Sequence, residues 1–156
     1  MFNRTRSLIV CLLTVLSMPT LADNGAIEIN AACVADGCFA GDDPGFPVEV
    51  GQAGSSYMLT SDLEVPDANT GAIRSSAADI TIDLNGFTVR GPTTCTGEPV
   101  TGCSPTGTGD GVHLAERNRL VNGQVIGFGD VGVFGARHSF IKDVTIMHNG
   151  GNGTDG

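Results

Sequence analysis

The sequence predicts an all-β fold of the parallel β-helix type, and three observations support this prediction. Hydrophobic positions recur every 21 residues in the second half of the chain: Val112 with Val133, Leu120 with Ile141, and Val125 with Ile146. Each repeat holds short alternating runs of Ile, Val and Thr, the pattern of half-buried strands. Glycine, asparagine or aspartate separates these runs, as expected for turns. Strands this short and closely spaced favour a solenoid in which each coil adds one strand to each of several parallel sheets.

The repeat also predicts where side chains point, because neighbours along a strand face opposite sides of its sheet. Two aliphatic columns should point into the solenoid: Ile73, Val112 and Val133 in one, and Ile82, Leu120 and Ile141 in the other. An earlier copy over residues 72–89 carries an extra residue near Leu84, and residues 57–65 form a partial first copy. Short polar side chains that tolerate left-handed backbone fall at equivalent turns: Asn85, Asn122 and Asp143.

The chain divides into three segments. Residues 1–22 are predicted to be a secretory signal peptide, because two arginines precede an apolar run and a small-residue cleavage site. That run is about half the roughly 20 residues that span a bilayer, so no permanent membrane anchor is predicted. Residues 23–55 show no repeat and are expected to cap the N-terminal end. Residues 56–156 are expected to form about four coils with an insert loop at 92–106, and we expect the chain to be truncated at its C-terminus.

Four cysteines remain when the signal peptide and its Cys11 are removed: Cys33, Cys38, Cys95 and Cys103. An even number of cysteines in an exported chain predicts disulfides, and three pairings are open. We favour the pairing local in sequence, Cys33 with Cys38 and Cys95 with Cys103, because each bridge would close a loop that contains glycine. A zinc site is disfavoured, because neither pair has the usual ligand spacing or a nearby histidine. The predicted location is therefore secreted or periplasmic.

Three stretches resemble the right-handed parallel β-helix proteins of the pectin-lyase-like superfamily: PDANTGAIRSSAADITIDLNGFTVRG (66–91), NGQVIGFGDVGV and KDVTIMHNGG. The resemblance covers residues 56–150 and implies a right-handed solenoid. That superfamily includes polysaccharide lyases, glycoside hydrolases, uronate epimerases, phage tailspikes and adhesins, so it implies a fold rather than one activity. In its polysaccharide-processing members the substrate lies along one sheet face, often beside carboxylates or bound Ca²⁺, with an Arg or His that handles the proton.

The charge of the chain restricts its partners. With 8 Lys+Arg against 17 Asp+Glu, the formal net charge is -9, and the basic residues form no cluster. Nucleic-acid binding is therefore not predicted. An acidic surface also disfavours acidic polysaccharides unless Ca²⁺ bridges the two, whereas neutral glycans need no bridge.

Candidate site residues follow from the outward positions of the repeat. His113 and Phe134 should point outward at the same position of adjacent coils, with Arg74 at that position one coil earlier. Arg74 and His113 are the candidate catalytic residues, since uronate chemistry needs a base and a group that stabilises negative charge. The alternative is that they are ordinary outward side chains, because any three coils supply such a column.

Asp110 and Asp130 precede the same strands and should lie at their edge. They join His113 and Phe134 as candidate binding residues. They are also the candidate Ca²⁺ ligands, because Ca²⁺ prefers carboxylate oxygens. The pair Asp42 and Asp43 lies in the expected cap and is interpreted as a solvated loop.

Two functions remain open. A non-catalytic glycan-binding or surface module is favoured, because the chain has no esterase, metalloprotease, phosphate-loop or EF-hand motif. The alternative is a polysaccharide-active enzyme, pectate-lyase-like or uronate-epimerase-like, whose catalytic strip is incomplete in this chain. The partner is expected to be a polysaccharide or cell-surface glycan, and the open C-terminal coil predicts self-association as a further contact.

Overall fold

The fold is all-β, and its two larger sheets are parallel. The computed structural model describes residues 25–156, which form fourteen strands and no helix. In chain order the strands are β1 (Ala26–Ile29), β2 (Val48–Val50), β3 (Ser56–Leu59), β4 (Leu63–Glu64), β5 (Ile73–Ser75), β6 (Thr81–Asp83), β7 (Thr88–Arg90), β8 (Thr94–Thr96), β9 (Gly102–Ser104), β10 (Val112–Leu114), β11 (Arg119–Ile126), β12 (Val133–Gly135), β13 (Phe140–Met147) and β14 (Thr154–Asp155). The expected signal peptide and Cys11 lie outside the described residues. Within residues 25–156, no helix is long and apolar enough to cross a membrane.

Two parallel sheets organise the chain. One contains β2, β5, β10, β12 and β14, paired in that order. The other contains β1, β3, β6, β11 and β13, together with β4 and β7. The first half of β11 pairs with β6 and its second half pairs with β7, so this sheet has two faces that meet at residues 122–123. Each repeat therefore supplies strands to three faces.

The register confirms the predicted spacing of 21 residues. Equivalent residues of successive repeats are direct neighbours on paired strands: Val112 with Val133, Leu120 with Ile141, and Val125 with Ile146. The first predicted inward column is confirmed, because Ile73, Val112 and Val133 are neighbours and are all buried. In the second column Ile82 and Leu120 are buried, but Ile141 is only partly buried. The reason is that β13 pairs with β11 alone among the described strands.

The earlier repeat departs from the expected register near Leu84. Residues 84–87 separate β6 from β7, whereas only residues 122–123 occupy the equivalent bend of β11. The insertion is therefore two residues rather than one, and it forms a turn with positive φ at Asn85 and Gly86. Gly123 lies against this turn, where an added Cβ would overlap the side chain of Leu84. Glycine is required there because the inserted turn occupies the space of a side chain.

The turns between faces use left-handed backbone. The prediction for the first set is confirmed, with φ of 51°, 58° and 56° at Asn85, Asn122 and Asp143. A second set of residues lies at the turn that leads from the five-stranded sheet to the other parallel sheet. Their φ values are 61°, 57° and 60°: Asp79, Arg117 and His138. The sequence analysis missed this second set because Arg is an uncommon residue for this conformation. The Arg117 guanidinium donates two hydrogen bonds to Asp79, at 2.8 and 2.9 Å, and these lower the pKa of Asp79.

A buried amide connects the turns of adjacent repeats. Asn118 is fully buried, and its Nδ2 donates to Ser75 Oγ at 2.6 Å and to the Ala77 carbonyl at 3.0 Å. Its Oδ1 accepts from the Ile80 amide at 2.9 Å. One side chain thus satisfies polar groups of the preceding repeat that would otherwise be buried without partners.

The N-terminal segment belongs to the sheets in part. Residues 23–55, expected to cap the N-terminal end without a repeat, contribute one strand to each parallel sheet: β1 pairs with β3, and β2 pairs with β5. The periodicity is hidden because an irregular loop, residues 30–47, separates these two strands. Val48 and Val50 of β2 are fully buried and extend the aliphatic interior.

Asp42 holds the loop of this segment in place. Interpreting Asp42 and Asp43 together as a solvated loop is wrong for Asp42, which is buried. Its Oδ1 accepts from the Glu49 amide at 2.8 Å, and its Oδ2 accepts from the Cys38 amide at 2.9 Å. The carboxylate therefore ties the loop to β2, while Asp43 is exposed.

The disulfide prediction is confirmed. Cys33 bonds to Cys38 within the N-terminal loop, and Cys95 bonds to Cys103 within the insert. The insert is an antiparallel hairpin of β8 and β9, in which these two cysteines lie directly opposite each other. Two disulfides indicate that the chain folds in an oxidising environment.

Replacing Val112 with Asp is expected to unfold the protein. A carboxylate would enter the dry interior without a partner, at a cost of several kcal/mol. The adjacent His113→Ala variant is the matched control and should stay folded with a much smaller loss of stability, because His113 points outward. Thermal unfolding followed by circular dichroism measures both. A Val112→Asp variant as stable as the parent would contradict the inward column.

Asp42→Ala is expected to lower the free energy of unfolding by about 2 kcal/mol or more, because two buried amides lose a charged acceptor. The neighbouring exposed residue supplies the control, since Asp43→Ala should change stability by less than about 0.5 kcal/mol. Urea titrations of the two variants give the comparison. Equal effects would show that Asp42 does not anchor the loop.

Candidate functional site

Five outward residues form a continuous row across the five-stranded sheet. Direct neighbours on successive strands make up this row, here called the outward ladder: Glu49, Arg74, His113, Phe134 and Asp155. Neighbouring strands lie about 4.8 Å apart, so the five positions span about 19 Å. The predicted alignment of Arg74, His113 and Phe134 is thus present, and the structure adds a carboxylate at each end.

Two aromatic rings form the centre of the outward ladder. The rings of His113 and Phe134 are stacked, with centroids 4.6 Å apart and an interplanar angle of 25°. Their parallel pairing arises because β10 and β12 are adjacent in register. Both residues are partly exposed, so part of the stacked pair is accessible to a ligand, although the ring faces that pack on each other are not.

Charged groups flank the rings. Arg74 Nη1 lies 3.7 Å from Glu49 Oε1, and His113 Nδ1 lies 3.8 Å from Asp110 Oδ2. Both distances exceed a hydrogen bond, so these groups keep donor and acceptor capacity for a ligand. Asp110 Oδ1 accepts from the Val131 amide at 3.4 Å, which orients its carboxylate beside His113.

A cleft of about 270 Å³, here called the ladder cleft, opens beside Arg74 and His113. The residue two positions before each of β2, β5 and β10 lines this cleft: Phe46, Gly71 and Asp110. The register of the three strands places these residues at equivalent positions. Gly71 lies between the other two, and an added Cβ there would lie 3.3 Å from the Asp110 carbonyl oxygen. Asp110, predicted from sequence, lines this cleft.

Among the residues that line the ladder cleft and were not predicted from the sequence are Phe46, Asn69 and Thr108. Asn69 Oδ1 accepts from the Thr108 amide at 3.3 Å, so the two loops before β5 and β10 are joined. For Phe46 a signal was available, since it precedes β2 as Asp110 precedes β10. It was overlooked because residues 23–55 were taken to lack the repeat.

Asp130 lies apart from the outward ladder. The register of β10 and β12 places Val131, rather than Asp130, opposite Asp110, and Asp130 does not line the ladder cleft. Within residues 25–156, no three His, Cys, Asp or Glu side chains are grouped so that they could hold a metal ion. Ca²⁺ binding through Asp110 and Asp130 stays a prediction.

The arrangement suits recognition of a polar ring-shaped ligand. Stacked aromatic rings offer an apolar surface, and the flanking guanidinium and carboxylates offer hydrogen bonds to hydroxyl groups. For chemistry, the face contains a histidine, His113, with the Asp110 carboxylate beside it and Arg74 on the next strand. The site therefore holds binding groups along its whole length and an acid–base candidate at its centre.

The ring stack should be measurable as a coupling energy. In a double-mutant cycle, His113→Ala and Phe134→Ala should be coupled by about 0.5–1.5 kcal/mol, because either change removes the same contact. The control cycle pairs Arg74→Ala with Phe134→Ala, which are separated by β10, and should show less coupling. Additive effects of His113→Ala and Phe134→Ala in urea unfolding would argue against the stack.

Comparisons of this chain with models of protein families, with curated proteins and with solved structures found no match. Inference about the function therefore depends on the geometry of the outward ladder and its cleft.

Proposed function

We propose that this chain is an exported, right-handed parallel β-helix that binds a glycan along the outward ladder without turning it over. The observation that carries the proposal is the stacked, solvent-facing pair of His113 and Phe134 between charged side chains on one regular sheet face. Sugar rings have apolar faces and hydroxyl edges, and this surface offers a complement to both.

The strand pairing supports the β-helix. Strands of each repeat pair in parallel with the equivalent strands of the next repeat on three faces. Parallel strands in one sheet need a crossover connection, and such crossovers are right-handed in about 98% of cases. A right-handed coil, which the resemblance to the pectin-lyase-like superfamily implies, is therefore the expected one.

Two observations support export. The disulfides require an oxidising environment. Residues 1–22 have the charge and apolar pattern of a signal peptide. A secreted or periplasmic protein would meet polysaccharides and cell-surface glycans.

A neutral glycan suits the site better than an acidic one. The chain has a formal net charge of -9. The positive charge of Arg74 is opposed by Glu49 on the adjacent strand, and Asp110 lies beside His113. Uronate carboxylates would therefore meet like charge unless Ca²⁺ lay between them.

Retention on immobilised neutral polysaccharides tests this function. The parent protein should bind, and Phe134→Ala or His113→Ala should weaken binding about tenfold, because the loss of one aromatic contact costs about 1.4 kcal/mol. Phe140→Ala is the matched control, since Phe140 is exposed on another sheet and contacts Arg119. If no neutral or acidic glycan is retained, or if all three variants behave alike, the proposed site is wrong.

A polysaccharide-active enzyme is the second candidate, favoured by one observation: Asp110 lies 3.8 Å from His113, with Arg74 on the adjacent strand. A His on a sheet face with a carboxylate nearby can act as a general base. Incubation with pectate or alginate in millimolar Ca²⁺ would then yield unsaturated uronate ends or an altered uronate ratio, and His113→Ala would abolish the product. Saturable retention without any product supports the non-catalytic function.

A further inference from the structure

A second cleft lies at the N-terminal end of the outward ladder. This cap cleft, of about 500 Å³, is lined by the loop that carries Phe39, by Glu49 and Gln52 around β2, and by Tyr57. The rings of Phe39 and Tyr57 lie 5.2 Å apart at 49°. The cleft thus combines an aromatic wall with a carboxylate and an amide at its rim.

The walls of the cap cleft are fixed before any ligand binds. Asp42 accepts from the amides of Cys38 and Glu49, which places Phe39 and Glu49 on opposite sides of one carboxylate. Tyr57 is buried, and its hydroxyl oxygen accepts a hydrogen bond from the backbone N–H of Gln52 at 3.3 Å. A site whose walls are already ordered loses little entropy on binding, which favours affinity.

The cap cleft adjoins the ladder cleft, and the Glu49–Arg74 pair lies between them. Glu49 lines the cap cleft and Arg74 lines the ladder cleft, and their charged groups lie 3.7 Å apart. These two residues are also neighbours in the outward ladder. A linear ligand that extends from His113 over Arg74 and past Glu49 would therefore enter the cap cleft.

We infer that the cap cleft is a terminal subsite, which binds a neutral sugar unit of the same glycan chain that lies on the outward ladder. This inference rests on the proposed function. Phe39 supplies a ring for the apolar face of the sugar, while Glu49 accepts and Gln52 donates or accepts hydrogen bonds at its hydroxyls. Glu49 disfavours a uronate at this position because of like charge. The protein should therefore prefer longer neutral chains over shorter ones.

The test measures affinity against chain length. Calorimetric titrations would use disaccharides to hexasaccharides of β-linked glucose, xylose, mannose and N-acetylglucosamine with the full protein. Affinity should rise with length once the chain spans from His113 to the cap cleft. Gln52→Ala should lower the affinity for the longer oligosaccharides about three- to tenfold, because one hydrogen bond is lost. The affinity for the shortest oligosaccharide that binds should not change.

Matched variants separate the subsite from the fold. Gln124→Ala changes the other glutamine of the chain, which lies on β11, and should bind every length like the parent. Phe39→Ala should act like Gln52→Ala, and circular dichroism confirms that it is folded. If Gln52→Ala and Phe39→Ala both bind long chains like the parent while His113→Ala weakens every length, the subsite is wrong and the proposed function stands. If the parent binds no oligosaccharide, both are overturned.

Discussion

Parallel pairing between strands one repeat apart is the constraint on which the rest of this structure depends. Because Val112 lies opposite Val133 and Leu120 opposite Ile141, every inward position of one repeat stacks on the same position of the next. The interior is therefore a set of aliphatic columns rather than one irregular core. The backbone groups of paired strands form hydrogen bonds with each other across repeats. The Asn118 side chain likewise forms hydrogen bonds with polar groups of the turns.

The same register creates the candidate site. Side chains alternate along a strand, so a fixed inward column forces a fixed outward row beside it. Glu49, Arg74, His113 and Phe134 are neighbours for the same reason that the adjacent valines and isoleucines are buried. Such a row has a regular spacing of about 4.8 Å, which suits a polymer that presents repeated chemical groups. A sheet face of this kind can position binding groups without help from flexible loops.

Irregular segments give the regular surface its shape. The loop at residues 30–47 is anchored by Asp42 and by the bond between Cys33 and Cys38, and it walls the cap cleft at one end of the outward ladder. Loops before β5 and β10, joined through Asn69 and Thr108, line the ladder cleft. The hydrogen bonds of Asp42 stabilise the loop because this carboxylate is buried. The exposed pair of Arg74 and Glu49 contributes little to stability and remains free for a ligand.

By itself, the sequence determined the 21-residue spacing, the inward positions of Val112 and Val133, the alignment of His113 with Phe134, the left-handed turns at Asn85 and Asn122, and the local disulfides. These features repeat along the chain or are local in it, so pattern and spacing are sufficient to predict them. Tertiary structure alone decided that Asp42 is buried, that residues 23–55 contribute strands, and that Phe46, Gly71 and Asp110 share one cleft. Those contacts join segments separated by loops of unequal length, and no local pattern specifies which residues such loops bring together.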